Sequence, residues 1–251
     1  MNKLNKGLNL ILTILPIVAI FIIWALASLV INNQYILPSL GQTFSALILV
    51  LRTKSFYIAF FNTFLRSLIS FLISFILAVL LAYLTHKSKI AEKVVLPIII
   101  IMRALPTIAI ALLLVFWVNS FIAPIIVTML VVFPTIYTMA KNAFDGVDRE
   151  VLEMSAVCGA NKFQTFVHII VPLVLPEILI IIGSALSLNL KLMVAAEVLS
   201  STANSIGLML NTSKVFFELA PMLAIIIICV LVGLIIEFVF NSISKKVGEW
   251  K

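Results

Sequence analysis

The stretch from Ala104 to Ala140 reads ALPTIAIALLLVFWVNSFIAPIIVTMLVVFPTIYTMA and contains no charged side chain in 37 residues. A single α-helix of that length would reach about 55 Å, whereas the hydrocarbon core of a bilayer is about 30 Å thick. Asn119 and Ser120 interrupt the run near its middle, and Pro124 suits the first turn of a returning helix. The stretch therefore predicts a transmembrane helical hairpin.

The composition of the whole chain supports a membrane protein. Hydrophobic residues make up 63% of the 251 residues, and charged residues only 11%. A soluble domain is about half apolar and about one quarter charged, so too little polar surface is present to cover a water-facing globule of this chain. A polytopic membrane protein with roughly six or seven spans fits the length.

Apolar runs and their breaks predict an all-α integral membrane protein with six spans in a single domain, residues 1–251. Residues 42–51 are too short to cross the bilayer, and we expect them at the outer surface. A longer polar loop, residues 141–171, separates the fourth and fifth spans. The predicted spans are 8–31, 58–85, 94–118, 121–140, 172–199 and 216–240.

The basic residues predict the orientation. The net charge of +7 comes from short clusters between apolar runs, which is typical of the positive-inside rule rather than of a nucleic-acid site. With the N-terminus inside, the outer segments carry only Arg52, Lys54 and Lys214. Both termini are therefore expected in the cytoplasm. The eleven inner residues are Lys3, Lys6, Lys87, Lys89, Lys93, Lys141, Arg149, Lys162, Lys245, Lys246 and Lys251.

The segment 148–168 predicts two short helices at the cytoplasmic face. Asp148 can cap the first helix, Gly159 ends it, and Asn161 with Gln164 can cap the second. Apolar side chains recur at helical spacing along both helices. They suit either an amphipathic helix lying on the membrane or a docking helix for a partner protein. These side chains are Val151, Met154, Val157, Cys158, Phe163 and Phe166.

Charged residues within spans are functional candidates, because each costs roughly 2.5–3.5 kcal/mol at mid-helix. Lys191 follows Ser187 and Asn189 on an otherwise apolar helix, so it either lines a pathway or forms a structural ion pair. Glu197 is expected near the outer interface, six residues further on. The charged residues within spans are Arg66, Arg103, Glu177, Lys191, Glu197 and Glu237; for Arg66 and Arg103, structural roles are favoured.

The sequence gives no sign of catalysis or of a metal site. It has no glycine-rich loop ending in Gly-Lys-Ser/Thr for ATP phosphates and no His-Glu-x-x-His. Cys158 and Cys229 lie in a loop and a span, where a disulfide is not expected.

The stretch EMSAVCGANKFQTFVHIIVP, residues 153–172, resembles the signature of ABC importer permeases: Glu-Ala-Ala, three residues, Gly, nine residues, Ile, one residue, Leu-Pro. Glu153, Gly159, Ile169 and Pro172 match, whereas Met154, Ser155 and Val171 depart from it. Three further segments resemble the nitrate/sulfonate/taurine/bicarbonate branch, which also includes thiamine-precursor and flavin permeases. They are Leu37-Pro38-Ser39, Arg103-Ala104-Leu105-Pro106, and Val194-Ala195-Ala196-Glu197 followed by Ser205-Ile206-Gly207.

The resemblance implies a type I importer permease in the plasma membrane (the cell inner membrane). Its partners would be a second copy of itself, two ABC ATPase subunits that bind ATP and Mg²⁺, an extracytoplasmic solute-binding protein and membrane lipids. A small solute, anionic if Lys191 faces the pathway, would be the cargo. The alternative interpretations of the sequence are an ion-gradient-driven secondary transporter and a membrane-embedded enzyme.

The resemblance also implies roles for individual residues. The loop from Glu153 to Pro172 would be the coupling helix region that docks on the ATPase. Its candidate residues are Glu153, Ala156, Gly159, Ala160, Phe163 and Pro172. Independently of the resemblance, the polar and charged residues within the predicted spans give the candidates for the substrate pathway: Arg103, Ser187, Asn189, Lys191 and Glu197.

Overall fold

The computed structural model describes residues 3–248, and every regular element among them is helical. Eleven α-helices and one π-helical turn follow each other along this part of the chain. The α-helices are α1 (Lys3–Ile31), α2 (Leu40–Arg52), α3 (Lys54–Lys87), α4 (Lys89–Ala104), α5 (Thr107–Trp117), α6 (Ala123–Asp145), α7 (Arg149–Val157), α8 (Lys162–Thr165), α9 (Val171–Ser200), α10 (Ile206–Val215) and α11 (Leu219–Gly248). The π-helical turn, Phe166–Ile170, joins α8 to α9.

Four described helical segments are long and apolar enough to cross a membrane: α3, α6, the run Lys162–Ser200, and α11. The bent pair α4 and α5 makes a fifth if it is counted as one span. In α1, the apolar part Val18–Ile31 is shorter, as is α2. The all-helical membrane fold is confirmed, while the count of six spans stays a prediction.

The third predicted span, 94–118, is bent in the structure, and its crossing of the membrane stays a prediction. The structure places two helices there, α4 and α5, which meet at an angle of 90°. Pro106 provides the reason, because it has no N–H to donate and disfavours helical backbone at the preceding residue. Leu105 accordingly has φ −66° and ψ 129°. Pro97 lies within α4 without ending it.

The predicted hairpin turn between the third and fourth spans is confirmed. The Asn119 side chain accepts hydrogen bonds from the N–H groups of Phe121 (3.1 Å) and Ile122 (2.9 Å). Pro124 lies in the first turn of α6, as expected.

The chain divides into two compact units. The first comprises the described residues up to Tyr57 together with Met209–Ile227. In this unit the Trp24 indole N–H donates to the carbonyl of Pro38 at 3.0 Å. Ser39 and Gln42 then form a capping box that starts α2. These bonds fix the turn between α1 and α2.

The second unit comprises Ile58–Leu208 and the described residues from Ile228 onward. Its core is formed where α3, α6 and α9 pack together, with Phe71, Ile136 and Ile181 among its buried side chains. Polar bonds also cross this core. The Asn189 amide donates to the carbonyl of Ser67 at 2.6 Å, and Tyr137 donates to the hydroxyl of Thr85 at 3.0 Å. Both candidate sites lie in this unit.

Candidate functional site

The first half of the loop between α6 and α9 folds as the local signals predict. Asp148 accepts a hydrogen bond from the N–H of Glu150 at 3.0 Å, next to the start of α7. Gly159 then adopts φ +77°, a left-handed conformation that glycine reaches without strain. The N–H of Ala160 returns to the carbonyl of Ser155 at 3.1 Å. This pattern is a Schellman cap, which satisfies a carbonyl at the end of α7.

The second half of the loop leads directly into the membrane. Asn161 and Gln164 form the predicted capping box, with both hydrogen bonds at 2.9 Å. The short helix α8 continues through the π-helical turn into α9, where Pro172 is the second residue. We call residues 148–168 the knuckle.

The knuckle is held to the rest of its unit from one side. The hydroxyls of Ser155 and Thr165 are hydrogen-bonded at 3.2 Å, which ties α7 to α8. The ring of Phe166 packs on the ring of Tyr83 with centroids 4.7 Å apart. These contacts fix the knuckle against the end of α3.

The other side of the knuckle presents apolar side chains to solvent. Met154, Val157 and Phe163 are 67%, 88% and 74% exposed. Arg149 forms an exposed ion pair with Glu153, Nε to Oε1 at 3.2 Å. A cluster of large exposed apolar side chains beside a charged pair is typical of a protein interface.

The other predicted coupling residues differ in their exposure. Ala160 is partly buried beside the cap, and Pro172 lies within α9 and is exposed. The side chain of Ala156 lies outside the part of the chain that the structure describes.

An ion cluster beside the knuckle was not predicted. Lys141 of α6 contacts Asp145 and lies 3.0 Å from Glu92 Oε1 of α4. His86 Nδ1 of α3 lies 2.7 Å from Asp145 Oδ1. The ends of three helices are therefore joined next to the segment that leads into α7. The only signal in the sequence was the gathering of charges at these predicted helix ends.

The predicted pathway residues separate into two groups. Ser187, Asn189 and Glu197 are completely buried within their unit. Lys191 is 52% exposed, and its Nζ lies 3.8 Å from Glu237 Oε1. Arg103 is exposed at the end of α4, just before the bend. Among the five predicted pathway residues, Lys191 and Arg103 are the two that present charge at the surface of the single chain.

Glu197 has a partner that the sequence did not reveal. The structure buries it against Arg66, with Arg66 Nη2 to Glu197 Oε1 at 2.7 Å, and its position near the outer membrane interface stays a prediction. The two residues are 131 positions apart in the sequence. Two opposite charges within predicted spans were the available signal, because such charges usually pair.

Within residues 3–248, no group of three or more His, Cys, Asp or Glu side chains is placed to hold a metal ion. Cys158 and Cys229 are both free.

Residues 72–249 match the family described as binding-protein-dependent transport system inner membrane component. The chain belongs to this family, and it is a multi-pass membrane protein.

Among its curated relatives is the putative aliphatic sulfonates transport permease protein SsuC of Bacillus subtilis, 26% identical over 165 residues, or 65% of this chain and 59% of that protein. The riboflavin transport system permease protein RibX of Chloroflexus aurantiacus is 22% identical over 161 residues, or 64% of this chain and 60% of that protein. The matched part thus spans about three fifths of the length of these relatives. These relatives agree with the nitrate/sulfonate/taurine/bicarbonate branch that the sequence predicts.

A solved structure has the same fold. It is the bacterial alginate ABC transporter in complex with an alginate pentasaccharide-bound periplasmic protein, with a TM-score of 0.64 and 18% identity. The similarity covers 98% of this chain and 96% of that chain. The type I importer fold implied by the sequence signature is therefore confirmed.

Proposed function

We propose that this chain is the permease subunit of an ATP-driven importer, which passes a small solute from an extracytoplasmic binding protein into the cytoplasm. The single observation that carries the proposal is the knuckle, whose apolar side is exposed while its other side is fixed to α3. Membership of the transport family supports the same conclusion. The chain itself is a transport subunit rather than an enzyme.

The proposed complex has two copies of this chain and two ATPase subunits. ATP and Mg²⁺ bind to the ATPase subunits, and this chain holds no cofactor. Six spans with both termini in the cytoplasm place the knuckle on the ATPase side of the membrane, and the distribution of lysine and arginine supports this orientation.

The knuckle is proposed to enter a groove of the ATPase subunit in the helix-in-groove mode. Phe163 would be its main anchor, since exposed aromatic side chains commonly contribute most at such interfaces. Glu153, Ala156, Gly159, Ala160 and Pro172 complete the proposed coupling region. Gly159 and Ala160 act by shaping the cap, and Pro172 by starting the span.

The proposed pathway is lined by Lys191 and Arg103. A half-exposed lysine within a membrane span costs free energy if it faces lipid, so Lys191 is expected to face water or a second copy of the chain. A positive lining favours an anionic solute, such as a sulfonate, and the sulfonate relative supports this class. A nutrient resembling a thiamine precursor or a flavin is the second class, supported by the riboflavin relative. Ser187, Asn189 and Glu197 are proposed to act from within the core, behind the lining.

Co-purification tests the proposal. The tagged chain is co-expressed with a candidate ABC ATPase subunit and extracted in mild detergent, and the retained ATPase is measured. Phe163→Ala is expected to weaken retention about tenfold or more, as expected for an interface anchor. Lys162→Ala, an exposed change on the same short helix, is the matched control and should leave retention unchanged.

Two results would count against the proposal. The first is a wild-type chain that retains no ATPase, combined with uptake that follows an ion gradient without ATP, which is the behaviour of a secondary transporter. The second is equal retention of the ATPase by Phe163→Ala and wild type, which would show that the knuckle is not part of the interface.

A further inference from the structure

The buried pair of Arg66 and Glu197 does more than neutralise two charges. Arg66 occupies one oxygen of the carboxylate, with its Nε donating to Oε1 at 2.9 Å. The other oxygen, Oε2, accepts from the hydroxyl of Thr63 at 2.8 Å and from the N–H of Gly207 at 3.3 Å. We call Thr63, Arg66 and Glu197 the clamp.

The clamp holds the turn that follows α9, residues 201–207, at both of its ends. The N–H of Thr202 donates to the carbonyl of Glu197 at 3.2 Å, and the N–H of Ile206 donates to the hydroxyl of Thr63 at 3.0 Å. Gly207 approaches so closely that an added Cβ would lie 2.3 Å from Glu197 Cβ. Only glycine fits at this position.

The clamp also reaches the hairpin turn of residues 119–122. The guanidinium carbon of Arg66 lies 5.3 Å from the centre of the Phe121 ring, in a cation–π arrangement. The hydroxyl of Thr202 donates to the carbonyl of Ser120 at 2.7 Å. The two turns are thus joined to each other and to α3, and we call them the paired turns.

The turn 201–207 is strained where it is exposed. Ser201 has φ of +49°, which residues other than glycine and asparagine rarely adopt. Asn204 has φ of +50°, a left-handed conformation that asparagine tolerates better than other non-glycine residues. Both are exposed, as is Ala203, whereas Thr202 and Ser205 are buried. Strained backbone persists only where surrounding contacts impose it, and it is concentrated at functional sites.

Stability alone does not require an ion pair at this position. Replacing a buried ion pair by apolar side chains of similar volume is often neutral or stabilising. Hydrogen bonds donated to a carboxylate by backbone and side-chain groups, in contrast, fix a particular backbone geometry. Glu197 uses its second carboxylate oxygen, Oε2, to fix the backbone at the base of the exposed and strained turn.

We propose that Glu197 and Arg66 are positioning residues that hold the paired turns as a rigid surface for the extracytoplasmic binding protein. This inference rests on the proposed function, which places the paired turns on the outer side. The surface carries no charge at its exposed tip, so the partner is expected to contact it through neutral hydrogen bonds and the ring of Phe121.

The test uses the full complex with its ATPase subunits, reconstituted in lipid vesicles, and measures ATP hydrolysis against the concentration of binding protein. The double variant Arg66→Met/Glu197→Gln removes both charges and leaves neither one buried alone. Its half-saturating concentration of binding protein should rise about tenfold, equivalent to the loss of one hydrogen bond to a charged group. Hydrolysis without binding protein is measured in parallel as the reference for stimulation.

Thr85→Val/Tyr137→Phe is the matched control, because it removes another buried hydrogen bond of α3 without touching the paired turns. It should change neither quantity. If the clamp variant fails to assemble, the same comparison is made with Glu197→Asp, which keeps the charge but withdraws the carboxylate from Gly207.

An unchanged half-saturating concentration in an assembled clamp variant would overturn the inference. An equal fall of basal and stimulated hydrolysis would also overturn it, since that result indicates a purely structural pair. A wild-type complex without any ATPase activity would instead refute the proposed function, so the two failures are distinguishable.

Discussion

Gly159→Val tests whether the shape of the knuckle couples ATP hydrolysis to transport. Gly159 has φ +77°, and no atom lies within 4 Å of the position that a Cβ would take. A clash therefore plays no part, and the effect of the change comes from the backbone alone. The left-handed conformation costs an L-residue about 1–2 kcal/mol, and a β-branched side chain makes it worse.

A cost of about 1–2 kcal/mol lowers the population of the capped knuckle by roughly 5- to 30-fold relative to alternative loop conformations. The bond from Ala160 to Ser155 is lost in those alternatives, and Phe163 changes direction relative to α7. We expect stimulated ATP hydrolysis in reconstituted complexes to fall by a similar factor. Insertion should be unchanged, because the knuckle lies outside the spans.

Gly159→Asn is the informative control. Asparagine tolerates the left-handed conformation better than valine, so this variant should keep most of the coupled hydrolysis. Gly159→Pro should be at least as damaging as valine, since proline fixes φ near −65°. Normal coupling in the valine variant, or equal losses in the valine and asparagine variants, would refute the reasoning.

Three further changes test other parts of the structure. Gly207→Ala should destabilise the protein by about 1–3 kcal/mol because its Cβ would overlap Glu197. Thermal unfolding in detergent measures this loss. The control is Gly41→Ala, where the nearest atom to the added Cβ is 4.0 Å away, and it should not lower the melting temperature. Lys191→Met should slow the uptake of an aliphatic sulfonate into vesicles about tenfold, and equal uptake would remove this residue from an anion pathway. Lys141→Met should lower stability by about 1 kcal/mol through loss of its ion pairs, and raising the salt concentration should shrink the difference from wild type.

The knuckle was predictable because its shape depends on neighbours in the sequence. The capping bonds of Asn161 and Gln164 join residues three positions apart, and the bond from Ala160 spans five. The glycine at 159 marks the left-handed position by itself. Secondary structure of this kind needs no knowledge of the tertiary fold. The protein that binds the knuckle could not be predicted in this way, because an exposed apolar surface does not identify what covers it.

The clamp could not be predicted in the same way. Its two charges are 131 residues apart, and helical periodicity gives no register between α3 and α9. The bend between α4 and α5 is an intermediate case. Pro106 was visible in the sequence, but Pro97 looked the same and lies within a continuous helix. Leu105, before Pro106, leaves the helical conformation, whereas α4 continues through Pro97, and local sequence does not distinguish these two outcomes.

The continuity of the helical run Lys162–Ser200 has a thermodynamic consequence. Phe163 and Glu197 stand at opposite ends of this run, about 50 Å apart at 1.5 Å per residue. If a partner bound at one end changes the binding affinity at the other end by some factor, thermodynamic linkage requires the reverse effect to have the same factor. In the proposed complex, whatever free energy the binding protein at the outer end contributes to ATPase docking, ATPase docking must contribute equally to retention of the binding protein. The two affinities of this subunit therefore have to be measured as a pair.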